Sequence, residues 1–177
     1  MSDKLNIIGI GGAGINIANK INYGKPVLIN SSNCSSPEEA MDMIDSKNQP
    51  EDVVIIASPA GKFSSSILPT VCSKLNSRGK KIFLIAVMPF HFESSERKER
   101  AEVTLRNVRM MVASYKIVEN ENFASAMRDR TWTDVIERIN LYVKGIVIKQ
   151  LLDNNSDGGS ASPEFRGYQE FQNLSTE

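Results

Sequence analysis

The chain has 177 residues, with 21 Lys+Arg against 21 Asp+Glu and a single His; 41% of it is hydrophobic and 24% charged. This is the length and composition of one soluble domain that can close a real core. Balanced charge excludes nucleic-acid binding through overall charge, and no apolar run approaches the roughly 20 residues that span a bilayer. The opening Met-Ser-Asp-Lys-Leu-Asn has no secretory character, so a cytoplasmic protein is expected. Cys34 and Cys72 stand 38 residues apart with only His91 to add an imidazole, which argues against both a disulfide scaffold and a structural metal.

Residues 5–10 form a β-branched run ending in glycines and read as a buried strand. From Gly14 to Ile21 the apolar residues Ile15, Ile17, Ala18 and Ile21 fall at helical spacing. Residues 26–30 give a second strand, and Ser36-Pro37-Glu38-Glu39 reads as a helix start, with a cap, a first-turn proline and acids at the positive end of the dipole. The series continues with a strand at 53–57, a helix at 67–75 stopped by Gly79, and a strand at 82–87. A charged helix over 93–112, a strand at 115–118 and a helix over 131–152 complete it. Strands that are continuously apolar and alternate with helices predict a three-layer, doubly wound α/β domain with a mainly parallel sheet over residues 1–152. Residues 153–177 carry a net charge of −4, leaving +4 for the rest. They are rich in Ser, Asn, Gln and Gly and are expected to form a flexible acidic tail. Phe165, Tyr168 and Phe171 are spaced within it as a docking helix would need.

The local signal richest in chemistry is Gly9-Ile-Gly11-Gly12-Ala13-Gly14-Ile15-Asn16, between the first strand and the first helix. Glycines there let the backbone approach an anion closely, and a helix N-terminus offers free N–H groups. By itself the run is compatible with a ligand-free βα turn as well. No Lys-Ser/Thr pair closes it as in a Walker A loop. The acid that a dinucleotide fold places after its second strand is replaced by Asn30-Ser31-Ser32. His91 has no nucleophile or acid spaced for a triad, and Cys72 sits on an apolar helix face. The bases Arg97, Lys98, Arg100, Arg106 and Arg109 interleave with Glu93, Glu96, Glu99 and Glu102, as on a solvated, ion-paired helix.

These residues resemble the FtsZ/tubulin superfamily, nearest to its prokaryotic cell-division type. The first loop of that family reads G-x-G-G-A-G-G-N, and this chain departs from it only at Ile15. The family string K-P-F-x-F-E-G-x-x-R is similar to Met88-Pro89-Phe90-His91-Phe92-Glu93-Ser94-Ser95-Glu96-Arg97. N-T-D resembles Asn30-Ser31-Ser32, I-P-N-D resembles Ile117 to Asn120, and V-Q-G-I resembles Val143 to Ile146. The resemblance covers residues 3–152. It implies a GTP or GDP site in which Gly11, Gly12, Ala13, Gly14 and Asn16 take the phosphates, with Asn30 and Asn120 nearby. It implies that Glu93 and Arg97 hold the ribose and Trp132 stacks on the base, with Gly61 and Ser65 in a second phosphate cradle.

The departures carry implications of their own. The glycine-rich second cradle is here Ala60-Gly61-Lys62-Phe63-Ser64-Ser65-Ser66, whose lysine and serines are either side-chain phosphate ligands or a solvated loop. Ile136 stands where the family reads the base edge with Asp or Asn. Asp153 and Asp157 do not match its catalytic acidic loop, and its second domain does not follow. The expected protein is a reduced relative with weak or no guanine-nucleotide binding. It would act through protein assembly, as a filament cap or modulator or as a structural subunit, with itself, a full-length relative or another assembly, in the cytoplasm or a viral particle. A GTPase completed by acids from a partner subunit and a Rossmann-type dinucleotide enzyme are the alternatives.

Overall fold

Every residue of Leu5–Ile10 is buried, as a strand covered on both faces requires. In the computed structural model, which describes residues 5–47 and 52–155, this segment is β1 of an alternating series. It is followed by α1 (Gly11–Ile21), β2 (Val27–Ile29), α2 (Pro37–Asp45), β3 (Asp52–Ala57) and α3 (Lys62–Ser77). Then come β4 (Lys81–Met88), α4 (Ser95–Val108), β5 (Ser114–Glu119), α5 (Asn120–Ala126) and α6 (Trp132–Asn155). The strands form one sheet in the order β2-β1-β3-β4-β5, and every neighbouring pair is parallel. The doubly wound α/β sandwich expected from the sequence is the observed fold.

Successive side chains in a strand point to opposite faces, and here both faces are filled. Ile8, Ile55 and Leu84, which share one register row, pack with Met41 and Ile44 of α2, Leu68 and Cys72 of α3, and Leu105 of α4. Val54, Ile56 and Ile85 turn the other way and meet Ile17 and Ile21 of α1, Phe123 of α5, and Ile139 and Val143 of α6. Each such aliphatic side chain contributes on the order of 1.5–3 kcal/mol when fully buried, so the two faces together hold the helices in place.

The differences from the expected elements lie at helix ends. Helix α1 begins at Gly11 instead of Gly14, and α3 at Lys62 instead of Ile67, so both segments expected as loops are first turns of helices. Pro69 consequently lies inside a 16-residue helix; the complete burial of Leu68, Val71 and Cys72 around it outweighs the one backbone bond that proline removes. Helix α4 stops at Val108, four residues early. Met111 N–H turns back to the Val108 carbonyl at 2.9 Å, and Ala113 N–H bonds Ile82 at 2.9 Å, starting β5 alongside β4. Met110 is left 91% exposed, while Met111 and Val112 still pack on the core. Helix α5 was not expected. Helix α6 continues to Asn155, past the Leu152 boundary, and the rest of the predicted tail, including Phe165, Tyr168 and Phe171, lies outside the described residues.

Cys34 and Cys72 are both buried and free. Burial pushes the Cys72 thiol up to about 12 and raises that of Cys34, where burial outweighs an opposing hydrogen bond from the Ser36 backbone. Among the described residues, no group of three or more metal-ligating side chains occurs, and no helix is long and apolar enough to cross a membrane.

Two outcomes test this packing. A Cβ on Gly14 would collide with the Ile56 carbonyl oxygen, whereas one on Gly12 meets nothing within 4 Å. In urea denaturation, Gly14→Ala should therefore cost about 3 kcal/mol or more, while Gly12→Ala should leave the chain at least as stable. Because the thiolate is the reactive form, a thiol reagent at about pH 8 should leave Cys72 unmodified until the protein unfolds. Labelling of the folded protein at the rate of a free thiol would contradict the burial described here.

Candidate functional site

In an open parallel sheet, the crevice forms beyond the strand C-termini where the strand order reverses. That point lies between β1, which connects outward to β2, and β3, which continues the sheet toward β4 and β5. A cleft of about 420 Å³ opens there, lined by Ile10–Ala13 at the end of β1, Ser58 and Gly61–Ser64 after β3, Val87–Phe90 and Glu93 at and beyond the end of β4, and Arg97, Asn120 and Ile136. Gly11 takes φ +74° at its mouth, a left-handed conformation that favours glycine.

Three helices that begin on this cleft are open at their N-termini. Helices α1 and α3 start after Ile10 and Gly61 with no side-chain cap, and short α5 starts after Glu119 in the same way. The remaining helices are closed, among them α4, whose third residue Arg97 also lines the cleft. Ser36 accepts from Glu39 N–H at the start of α2, and Ser94 accepts from Arg97 N–H at the start of α4. Thr131 and Asp134 bond each other's backbone N–H at the start of α6, and the Thr131 hydroxyl, with its N–H, donates to the Asp134 carboxyl and holds it below its usual range. The free N–H donors of α1 and α3, with the Lys62 side chain beside them, give one end of the cleft the character of an anion site.

The turn between β3 and α3 is fixed by side chains. Ser64 is 2% exposed, and its hydroxyl bonds the Ser58 and Gly61 carbonyls from inside the turn. Ser65 and Ser66 donate back to Lys62 and Phe63 carbonyls at 3.0 and 2.7 Å. A phosphate oxygen needs donors, and each hydroxyl has only one proton. The serines thus bond within the first helical turn, and the expectation of a solvated loop at 62–66 is corrected to a helix start. From outside, Arg100 Nη1 donates to the Ala60 carbonyl at 2.9 Å, while its Nη2 pairs with Glu96.

The opposite end of the cleft is apolar, built from Val87, Met88, Pro89, Phe90 and Ile136, with three polar side chains. Glu93 accepts from Phe90 N–H at 2.9 Å and from Arg97 Nε at 2.5 Å, one bond on each of its oxygens. Asn120, buried to nine-tenths, has an Oδ1 without a hydrogen-bond partner. Phe90 stacks on Phe92 with centroids 5.2 Å apart, and Trp132 meets both rings edge-on at 5.3 and 5.2 Å. His91 only helps to hold this loop: its N–H bonds Glu121 and its carbonyl accepts from Lys98.

Of the twelve residues singled out from the sequence, Gly11, Gly12, Ala13, Gly61, Glu93, Arg97 and Asn120 are brought together on the cleft. The others lie off it. Gly14 is buried against β3, and Asn16 is exposed on α1. Asn30 closes its own turn, its Oδ1 accepting from Ser32 and Asn33 N–H groups. Ser65 faces its helix, and Trp132 stands at the rim, 57% exposed. Sequence reasoning missed Ser58, although its place directly after β3 marks it. It also missed Ser64 and Arg100 as shapers of the cleft, for which spacing carries no signal.

No family model and no curated protein matches the sequence, but solved structures do. CetZ from Methanosaeta thermophila is 18% identical with a TM-score of 0.72, over 89% of this chain and 55% of that one. FtsZ from M. jannaschii, solved as an empty dimer, is 16% identical with a TM-score of 0.71, over 96% of this chain and 60% of that one. CetZ2 from Haloferax volcanii, solved as a GTPγS-bound protofilament, is 16% identical with a TM-score of 0.72, over 89% and 60%. The chain thus spans 55–60% of the length of these three structures. Strand order, the cleft at the switch point and this likeness lead to one conclusion: the chain has the Rossmann-like fold of the tubulin/FtsZ GTPase domain.

Proposed function

We propose that the cleft binds the phosphate end of a nucleotide, and that the chain works through protein–protein assembly with weak nucleotide binding and little or no hydrolysis. The observation that carries the first part is the convergence of two uncapped helix N-termini on a cleft whose Gly12 leaves open space where any side chain would stand. The orphaned Asn120 Oδ1 supports it further, as an acceptor for a ligand hydroxyl or N–H. Guanine nucleotide is the ligand we infer from the fold relatives, one of which holds GTPγS. Gly11–Ala13, Lys62 and the first turn of α3 would hold its phosphates, and Arg97 and Asn120 its ribose. Among the described residues, the base end offers Ile136 in place of a polar side chain that could read a base edge, which is the reason for weak affinity.

Glu93 is the one carboxylate among the described residues lining the cleft, and both of its oxygens are engaged. Among the described residues, no carboxylate without a hydrogen-bond partner lines the cleft, and this supports assembly over catalysis as the working mode. The protofilament arrangement of the CetZ2 relative is the support for assembly itself.

Two measurements follow. Calorimetric titration with GDP or pyrophosphate should give a Kd weaker than about 1 μM. Gly12→Asp, which places a carboxylate among the helix N-termini without steric cost, should weaken binding at least about tenfold through charge repulsion with the fold intact. Nucleotide retained in equimolar amount through purification, or binding indifferent to Gly12→Asp, would overturn this. Phosphate release from GTP should stay below about 10⁻³ s⁻¹, no faster than unassisted turnover at an incomplete site; faster release rising with protein concentration would favour a site completed by a second subunit.

A further inference from the structure

We propose that Arg100 is a positioning residue for the cleft: it fixes the Ser58–Gly61 turn that presents the N-terminus of α3 to the ligand. Its consequence for binding rests on the anion-site reading above. Arg100 lies on α4, among charges that look like a solvated surface, yet its side chain is only 20% exposed. One arm of the guanidinium donates to the carbonyl of fully buried Ala60 at 2.9 Å, and the other pairs with Glu96 one helical turn back.

The direction of that carbonyl is what matters. Ser58 and Gly61 line the cleft, whereas neither Ala60 nor Arg100 does, so the Ala60 oxygen is turned away from the space an anion would take. A carbonyl oxygen swung into that space would repel an anion and displace Lys62 and the first N–H groups of α3. The Ser64 hydroxyl holds the Ser58 carbonyl and Ser65 N–H holds that of Gly61 at 2.9 Å, which leaves Ala60 to Arg100. Glu96 keeps the guanidinium in place. This clamp gives a turn that has one glycine a fixed shape.

The test compares wild type, Arg100→Met, Arg100→Lys and Glu96→Gln in the full chain, by amide hydrogen exchange without ligand and by pyrophosphate titration. The Gly61 and Ser65 amides bond within this turn and report on it directly. In Arg100→Met they should exchange about tenfold faster while α1 amides are unchanged, and pyrophosphate affinity should fall about tenfold, the size expected for a lost charge-assisted bond. Arg100→Lys, with one donor still able to reach the carbonyl, should recover part of both. Glu96→Gln should show a smaller loss. Unchanged exchange at Gly61 and Ser65 in Arg100→Met would overturn the proposal, as would faster exchange spread evenly over the whole chain. If wild type does not bind pyrophosphate, the anion-site reading falls, and local exchange alone decides whether Arg100 holds the turn.

Discussion

The architecture of the cleft depends on how closely α1 can approach β3. Gly14 rests against the Ile56 carbonyl with no room for a side chain, and that contact seats the first turn of α1 beside the end of the neighbouring strand. From there Gly11 comes close to Ser64, whose Cβ would stand 3.3 Å from a Cβ on the glycine. The two helix N-termini are thereby held a short distance apart on one crevice. A bulkier residue at either point would open the sandwich or separate the two sets of donors.

A second constraint is electrostatic. Each missing cap leaves N–H groups without partners and forgoes about 1 kcal/mol of helix stability. In this chain the caps are missing on α1, α3 and α5, which start on the cleft, and present on α2, α4 and α6. The remaining charges are neutralised in pairs, Glu93 with Arg97 and Glu96 with Arg100, leaving Lys62 as the cation lining the cleft without a carboxylate partner among the described residues. A modest positive potential over an open, small-residue floor suits a phosphate. The apolar opposite wall, with Ile136 and the Phe90–Phe92–Trp132 cluster at its edge, suits the body of a nucleoside without discriminating among bases.

Much of the fold was legible because it is written in burial. Continuous apolar strands such as Val53 to Ala57 can only be covered on both faces, and the stop signals around them are local. Helix starts were harder to read. The segments Gly11–Gly14 and Lys62–Ser66 have low helix propensity, and tertiary packing of Ile17, Leu68 and Val71 extends the helices back through them. The cleft was legible where chemistry is carried by backbone, at Gly11–Ala13 and Gly61, and where a rare string marks it, at Glu93 and Arg97. It was illegible where a side chain's direction decides its role. Ser64 and Ser65 are chemically identical, yet one staples the turn and the other bonds its own helix. Asn30 is consumed by Ser32 and Asn33, and Arg100 is concealed among alternating charges.

The claim that the N-termini of α1 and α3 form one anion site is tested most directly by amide chemical-shift mapping of the full chain titrated with pyrophosphate. The account predicts that Gly11, Gly12 and Ala13 shift together with Lys62, Phe63 and Ser64, along a single binding curve. Shifts confined to one helix, shifts centred on the Asn30–Asn33 turn, or none at millimolar pyrophosphate would contradict it.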